Sequence, residues 1–425
     1  MFETFEQTDD RAGISAWLHR GNGLRVLVHP NRTVPAATLM VTYLVGSRDE
    51  PTGLTGATHF LEHLMFKGTE RHNRELGTSV FQVLQRVGGQ VNASTWVDRT
   101  NYYALLPSQE LERAAAIEAD RMRGARLYDA DVESERSVIL NELDRGENEP
   151  VRRLHQLVWS TAYSMHPYRH PTIGWRGDVE NMTADGLRHF YDTYYWPDNA
   201  VVSIVGDIDV AEALDLVDRH FSGIPRAPAP IPYVRAVEPE QAGPRRVTVR
   251  MAGEPGAVLV AWKSPGGLER STDALSLLAM LLARGKSSRL YHALMDTGIA
   301  MSQSAWVSRF RDPGLFQVMA MPAPGHTHAE VEAVIRSEIE RISRDGVDEA
   351  ECARARRQLR ADEAFSRDGP FAVAARLNEA IAAGDWRLFT DLADRVETLG
   401  AADVQEATRT YLVDRVETVG WFEPV

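Results

Sequence analysis

The stretch Ala57–Thr69 reads ATHFLEHLMFKGT and contains the pattern HxxEH from His59 to His63. Residues four apart lie on one face of a helix, so His59 and His63 can present two imidazoles to one metal ion. Glu62 lies beside the same face and can position a water molecule against that metal. Zinc suits two histidines and one carboxylate, and the fourth position stays open for water. The pattern therefore predicts a hydrolytic zinc site in which Glu62 takes a proton from the water.

The alternative is a solvated surface helix that carries two histidines and a glutamate by chance. That alternative predicts polar neighbours, whereas the residues around the motif are apolar: Phe60, Leu61, Leu64, Met65 and Phe66. Burying charged and polar groups among apolar side chains without a partner is costly. The surroundings therefore favour a bound metal.

A third protein ligand has to come from another part of the chain. The segment Asp131–Arg145 is predicted to be a helix that begins with an acidic turn and ends before Gly146. Within it, Glu135 and Glu142 are two helical turns apart and share a face. One of them can bind the metal while the other supports the site from outside.

The rest of the chain reads as two α+β halves. Residues Ala36–Val45 and Asn92–Leu106 have the pattern of strands, and Ala257–Trp262 and Thr272–Leu282 begin a similar strand and helix series later on. Six prolines between Gly223 and Arg246 are typical of an extended linker. We expect an α+β fold of two structurally related halves, each a mainly antiparallel sheet packed with helices. The expected limits are 1–225 for a zinc-binding catalytic half, 226–246 for the linker and 247–425 for a half without a metal site.

Composition restricts the partners and the location. The chain has 425 residues and a formal net charge of −13, which disfavours nucleic acid or an anionic membrane as the main partner. Its single cysteine, Cys352, allows no internal disulfide. There is no long apolar run, and the acidic start MFETFEQTDDR lacks the pattern of a secretory signal. We expect a cytoplasmic protein that binds neither nucleic acid nor membrane.

HxxEH is the inverted form of the HExxH zinc-peptidase motif. With its flanking blocks, the chain resembles the pitrilysin, or M16, family of zinc metallopeptidases, which includes insulysin and the mitochondrial processing peptidase. It is similar to the short members of the zinc-binding subunit type, over nearly its whole length. The blocks that carry the resemblance are Gly46–Thr69, Asn92–Thr95, Glu135–Glu142, His166–Tyr168 and Gly285–Leu290.

The resemblance implies a role for each residue of the motif. His59, His63 and Glu142 become the ligands of one Zn²⁺ per chain, and Glu62 becomes the general base. Glu135 takes a supporting role, and it is the alternative third ligand.

The resemblance also implies where a peptide substrate binds. Asn92, Ala93, Ser94 and Thr95 would form an exposed edge strand beside the zinc, to which an extended peptide adds through main-chain hydrogen bonds. The alternative is an ordinary sheet strand that binds no peptide. Phe66 could line a pocket for an apolar side chain, or it could belong to the core.

One departure from the family concerns a partner chain. The family usually supplies an Arg and a Tyr from the second half, in a pattern like R-x-K-x-G-L-x-Y, whereas Met295 and Met301 stand at those positions here. We therefore expect a heterodimer in which a second M16-like chain supplies the Arg/Tyr pair, with a homodimer as the alternative. The expected function is a zinc-dependent endopeptidase that cleaves peptides or unstructured segments in a closed chamber. Two alternatives are a non-catalytic scaffold, like the core proteins of a respiratory complex, and a peptide-binding chamber whose zinc is only structural.

Overall fold

The computed structural model describes residues 3–425, and two sheets organise it. Its strands are β1 Phe5–Arg11, β2 Ile14–His19, β3 Arg25–Pro30, β4 Ala36–Tyr43, β5 Gln90–Thr95, β6 Thr100–Pro107, β7 Ala200–Gly206, β8 Arg245–Met251, β9 Ala257–Lys263, β10 Ala300–Val307, β11 Leu315–Pro322 and β12 Glu417–Pro424.

Helices cover both sheets. They are α1 Ala57–Leu64, α2 Val80–Gln85, α3 Leu111–Gly124, α4 Asp129–Glu147, α5 Pro150–Ala162, α6 Arg176–Asn181, α7 Ala184–Tyr194, α8 Val210–Phe221, α9 Arg270–Ala283, α10 His328–Asp345, α11 Glu349–Phe365, α12 Pro370–Ala383, α13 Leu388–Glu397 and α14 Ala401–Tyr411. Within residues 3–425, no helix combines the length and the apolar character needed to cross a bilayer.

The two sheets share one topology. The seven-stranded sheet has the order β1-β2-β3-β7-β4-β6-β5, and the five-stranded sheet read from its other end has the order β8-β12-β9-β11-β10. Among the strands that the structure describes, each sheet has one parallel pair, and it joins equivalent strands, β3 with β7 and β8 with β12. The last five strands of the first sheet therefore match the second sheet strand for strand. This confirms the prediction of two related halves built mainly from antiparallel pairs.

The chain groups into two compact units, and each unit contains more than one segment. The first consists of the residues up to Leu143, Pro171–Arg235 and Ser366–Ala382, and the second of Asp144–His170, Ala236–Phe365 and Ala383–Val425. Two segments thus differ from the expectation of contiguous halves. Helix α5, from the first half of the sequence, packs on β8 and β12 of the second unit. The segment Ser366–Ala382, from the second half, belongs to the first unit. The limits 1–225, 226–246 and 247–425 remain a proposal for the repeated sequence halves. Between Phe221 and Arg245 the chain is described throughout and forms neither helix nor strand.

The first unit has an apolar core on one face of its sheet, which we call the front face. Strand residues such as Val41, Tyr102 and Ala93 point from that face towards α1, α3 and α8. Within this core lies a buried ion pair in which Arg121 donates two hydrogen bonds to Glu118, at 2.9 and 2.5 Å. The guanidinium also packs on the ring of Tyr102, 4.3 Å from its centroid. A buried pair of this kind is costly to desolvate and specifies a single arrangement of the core.

The second unit contains a buried amine at the end of β9. The Lys263 Nζ atom lies 3.0 Å from the centroid of the Tyr163 ring and has no hydrogen-bond partner among residues 3–425. Burial lowers the pKa of Lys263 to about 7, although the charge of Glu238 acts in the opposite direction and that of Arg245 adds to the effect. Its charge state therefore changes near neutral pH.

Candidate metal centre

Helix α1 carries the HxxEH motif, and two features fix where it begins. Gly56 caps it with a φ of 89°, and a Cβ there would lie 2.5 Å from the carbonyl oxygen of Ile173. The carboxylate of Glu50 accepts the backbone N–H groups of Gly56 and Thr58, at 2.7 and 2.8 Å. Orphan N–H groups at a helix start need such acceptors. Burial nevertheless raises the pKa of Glu50 to about 8, because this carboxylate is enclosed by protein.

The first turns of α1 divide the motif between two faces. Phe60, Leu61 and Leu64 are fully buried in the core of the first unit. His59 and His63 lie on the other face, with their ring centroids 4.8 Å apart. The helical spacing expected from the sequence therefore brings the two imidazoles together.

Helix α4 places its glutamates over these rings. The Oε2 atom of Glu142 lies 3.8 Å from Nε2 of His59 and 3.8 Å from Nε2 of His63. The Oε2 atom of Glu135 lies 3.0 Å from the other ring nitrogen of His63, Nδ1. His63 thus has its Nδ1 occupied by Glu135, and its Nε2 faces the same space as Glu142 and His59.

This donor set fits a zinc ion. Donor atoms of His59, His63 and Glu142 all lie within 4.8 Å of one another, and this is the one group of three or more possible ligands found within residues 3–425. Two donors on a tetrahedral zinc ion at ordinary bond lengths lie roughly 3.4 Å apart. The separations of 3.8 Å from Glu142 to each ring exceed that value by a few tenths of an ångström, while the donor set as a whole spans up to 4.8 Å. Binding one ion therefore requires the side chains to move closer together.

The carboxylate of Glu135 has two partners. Besides His63, it pairs through Oε1 with the ammonium group of Lys67. The hydrogen bond from His63 is the largest influence on this carboxylate, and together with Lys67 it lowers the pKa of Glu135 to about 2. Burial lowers the pKa of His63, but the hydrogen bond and charge of Glu135 outweigh it, and the net shift is upward. Glu135 therefore orients the His63 ring and stays ionised.

Glu62 lies beside the histidines and contacts β5. Its Oε2 atom accepts a hydrogen bond from the hydroxyl of Thr95. Burial raises the pKa of Glu62, and the Thr95 hydrogen bond and the charge of His63 offset only part of the rise. A half-buried carboxylate with a raised pKa is suited to accept a proton near neutral pH.

The remaining predicted residues differ in exposure. Strand β5 is the last strand of its sheet, where Asn92 is exposed, Ala93 is buried, and Ser94 and Thr95 are half-buried. Strand β5 thus lies at a sheet edge, as expected, and its role in binding peptide stays a prediction.

Phe66 lies at the margin of the core, and its role in a pocket for an apolar side chain stays a prediction. It packs against the core of the first unit, and its ring stacks at 5.0 Å on Phe81, which is 38 % exposed. The pair forms an apolar surface that extends from the core to solvent.

Sequence reasoning missed several residues of this site. The roles of Lys67 and Glu50 follow from contacts between distant segments and have no motif. Thr95 was named as part of a strand, but its hydrogen bond to Glu62 depends on which face of β5 it occupies. The alternation of side chains along a strand could have placed it, once the register of β5 on β6 was known.

Comparison with known proteins adds the family. The family model described as "Insulinase (Peptidase family M16)" matches residues 25–175, and the model described as "Peptidase M16 inactive domain" matches residues 181–359. The chain is 34 % identical over 340 residues to a zinc protease of Mycobacterium leprae, covering 80 % of this chain and 76 % of that protein. It is 31 % identical over 405 residues to a zinc protease of Streptomyces coelicolor, covering 92 % and 85 %. The chain therefore belongs to the M16 peptidase family.

Solved structures agree with this assignment. A protease from Helicobacter pylori superposes with a TM-score of 0.91 at 27 % identity, covering 97 % of this chain and 99 % of that one. The periplasmic protease PqqL from Escherichia coli has the same fold at 19 % identity and a TM-score of 0.81, with 99 % of this chain matching 48 % of that chain. The fold of this chain thus corresponds to about half of that longer protein.

Proposed function

We propose that this chain is a zinc-dependent endopeptidase that cleaves peptides or unstructured segments, with one Zn²⁺ held by His59, His63 and Glu142. The observation that carries the proposal is the convergence of these donors beside Glu62 and the edge strand β5. Structural zinc sites normally use four protein ligands, whereas three ligands with a free carboxylate are typical of catalytic ones. This contrast argues against the structural-zinc alternative.

Zinc held there would polarise the scissile carbonyl and lower the pKa of a water molecule. The chain supplies the proton transfer through Glu62, whose pKa is raised by burial. Glu62 takes the proton from the attacking water and passes it to the leaving amine. The Thr95 hydroxyl donates to Oε2 of Glu62, which leaves Oε1 to accept the proton.

The substrate class follows from β5. A peptide that adds to this edge makes main-chain hydrogen bonds, and its alternate side chains point to the front and back faces of the sheet. On the front face, the stacked rings of Phe66 and Phe81 offer a surface for an apolar side chain. Only an extended segment presents its backbone in this way, which selects peptides and unfolded regions over folded proteins.

We further propose that a second M16-like chain completes the active site as a heterodimer and supplies the Arg/Tyr pair. The support is the sequence itself, because Met295 and Met301 occupy the positions of that pair. A fold that matches about half of the longer PqqL chain is compatible with such pairing. A homodimer is the alternative, and native mass spectrometry of the active species, which gives the mass of each subunit, distinguishes the two.

The test is hydrolysis of an unstructured peptide mixture by the purified chain, read by mass spectrometry with and without a chelator. Glu62→Gln should keep its zinc and lose about 10²- to 10⁴-fold in kcat. Glu133→Gln is the matched control, because Glu133 is an exposed glutamate on α4 that pairs with Arg136 at 3.5 Å. We expect this control to behave like the wild type.

Four results would decide between the parts of the proposal. Normal turnover by Glu62→Gln would exclude its role as the base. A zinc-loaded chain that cleaves only with a second M16-like chain present would support the heterodimer, whereas one that cleaves under no condition would refute the endopeptidase. A chain that binds no zinc at all would favour the scaffold alternative.

A further inference from the structure

Strand β5 has two faces with different surroundings. Ala93 and Thr95 point to the front face, where Thr95 contacts Glu62. Asn92 and Ser94 point to the opposite side, which we call the back face, because side chains alternate along a strand. Ser94 pairs with Asn101 of β6 across the sheet.

Helix α12 lies on the back face. Cross-strand partners share a face, so Thr42 of β4 and Asn101 of β6 form one row with Ser94. From α12, Asn378 accepts a hydrogen bond from the Thr42 hydroxyl at 2.8 Å and donates one to Asn101 at 3.4 Å. All of these side chains except that of Ser94 are buried. A buried polar row with its partners in place fixes the register of helix and sheet.

Arg99 connects this row to the end of β5. It lies in the short turn between β5 and β6 and is only 9 % exposed. Its Nη1 atom donates to the carbonyl oxygen of Ser94 at 3.0 Å, to the Ser94 hydroxyl at 2.6 Å and to Asn101 at 2.9 Å. Its Nε and Nη2 atoms donate to Oε1 of Glu379 on α12, at 3.2 and 2.5 Å. One guanidinium thus joins the strand, the turn and the helix.

An edge strand has a neighbour on one side only and is therefore less constrained than an inner strand. The contacts of Arg99 act on Ser94, the residue next to Thr95. Any shift of Ser94 along or across the sheet therefore displaces the hydroxyl that holds Glu62.

We propose that Arg99 and Glu379 are positioning residues for the peptidase reaction. The pair fixes the end of β5 from the back face, so that Thr95 holds Glu62 on the front face and the peptide-binding edge keeps its place. This rests on the proposed function, and it assigns to α12, which follows the linker in sequence, a part in building the active site of the first unit.

The kinetic test compares Arg99→Met, Glu379→Ala and Glu379→Gln with the wild type. We expect the first two to lose about tenfold to hundredfold in kcat, which is the cost of a small misplacement of a catalytic group. The KM for peptide should rise less, and the zinc dissociation constant should not change. Glu379→Gln keeps an acceptor oxygen for the guanidinium and should recover most of the activity.

A matched control is available in the same unit. Arg126 pairs with the exposed Glu70 through two hydrogen bonds of 3.1 and 2.9 Å. Arg126→Met removes an equivalent guanidinium–carboxylate pair away from β5 and should leave kcat unchanged. If Arg99→Met does not fold, Glu379→Ala carries the test, because the Glu379 side chain is 51 % exposed.

Amide hydrogen exchange tests the same proposal without using activity. Peptides that cover residues 90–101 should exchange about tenfold faster in Arg99→Met and Glu379→Ala, while those from α1 and from β9 stay unchanged. Unchanged exchange and unchanged kcat in an active background would overturn the positioning role and leave the proposed function intact. Inactivity of the wild type under every condition would instead refute the proposed function and the kinetic part of this proposal. Amide hydrogen exchange would still decide whether Arg99 and Glu379 fix β5.

Discussion

The two glutamates on α4 are predicted to differ in what they contribute to zinc binding. Glu142 reaches the Nε2 atoms of both histidines, whereas Glu135 contacts the far nitrogen of His63 only. Glu142→Ala therefore removes a ligand, and Glu135→Ala removes a group that orients one. The exposed Glu133, on the same helix, provides the control as Glu133→Ala.

The magnitudes can be worked from the contacts. The lowering of the Glu135 pKa from 4.5 to about 2 is a net favouring of its ionised form by about 3 kcal/mol, which His63 and Lys67 provide against the opposing effect of burial. Glu135 contacts one zinc ligand only, and loss of such a partner usually lowers metal affinity 10- to 100-fold. Zinc sites with four ligands bind with about 10–16 kcal/mol, or roughly 3 kcal/mol per ligand. Loss of Glu142 should therefore weaken zinc binding roughly 10²- to 10³-fold.

The assay is competition for zinc with a chromophoric chelator at constant pH, applied to the three variants and the wild type. We expect the dissociation constant to rise in the order Glu133→Ala, Glu135→Ala, Glu142→Ala, with the first equal to the wild type. If Glu135→Ala weakens zinc binding as much as or more than Glu142→Ala, the reasoning is refuted. Glu135 would then be the third ligand, the alternative named from the sequence.

Three further predictions concern stability, measured by urea unfolding. The folded pKa of Lys263, about 7, lies below its unfolded value, so the unfolded chain binds more protons at this site above pH 7, and Lys263 alone contributes a rise in stability of about 2 kcal/mol from pH 7 to 9. Deprotonation of Glu50, whose folded pKa is about 8, offsets about 1 kcal/mol of that rise in the wild type. Lys263→Met should remove this rise, and a persisting rise would assign it to other groups. Gly56→Ala should lower the free energy of unfolding more than Gly53→Ala does. Both positions have positive φ, but only a Cβ at position 56 meets backbone atoms. Equal losses would exclude the steric clash. Arg121→Met should lower the free energy of unfolding by about 3–5 kcal/mol, because it leaves the buried Glu118 carboxylate unpaired. Adding Glu118→Met removes that charge and should restore most of the loss. A double variant no more stable than the single one would contradict this.

The local part of the site could be predicted because short-range geometry determines it. Helical spacing alone puts His59 beside His63, and it puts Glu135 and Glu142 on one face of α4. Short apolar runs likewise predicted β4 and β9, which are buried along nearly their whole length.

The long-range part could not be predicted in the same way. An amphipathic helix such as α12 has an apolar face, but the pattern does not say which sheet that face will cover. The pairing of Arg99 with Glu379 depends on this choice and leaves no motif in the sequence. The hairpin of β1 and β2 could not be predicted for a different reason. Strand β1 reads FEQTDDR and is mostly exposed. It therefore lacks the alternation of apolar and polar residues that indicates a half-buried strand.

The placement of α12 has a consequence for synthesis of the chain on the ribosome. When the ribosome has synthesised the chain as far as Arg235, the first unit lacks only its last segment, which ends at Ala382. At about 5–20 residues per second, the ribosome needs roughly 7–30 s to cover that interval. During this time the nascent first unit has no α12, and its back face around β5 and β6 is open to water. The side chains that α12 later covers are polar, and they belong to Thr42, Asn101 and Ser94. Water can hydrate them until α12 is synthesised and Asn378 forms its hydrogen bond with Thr42.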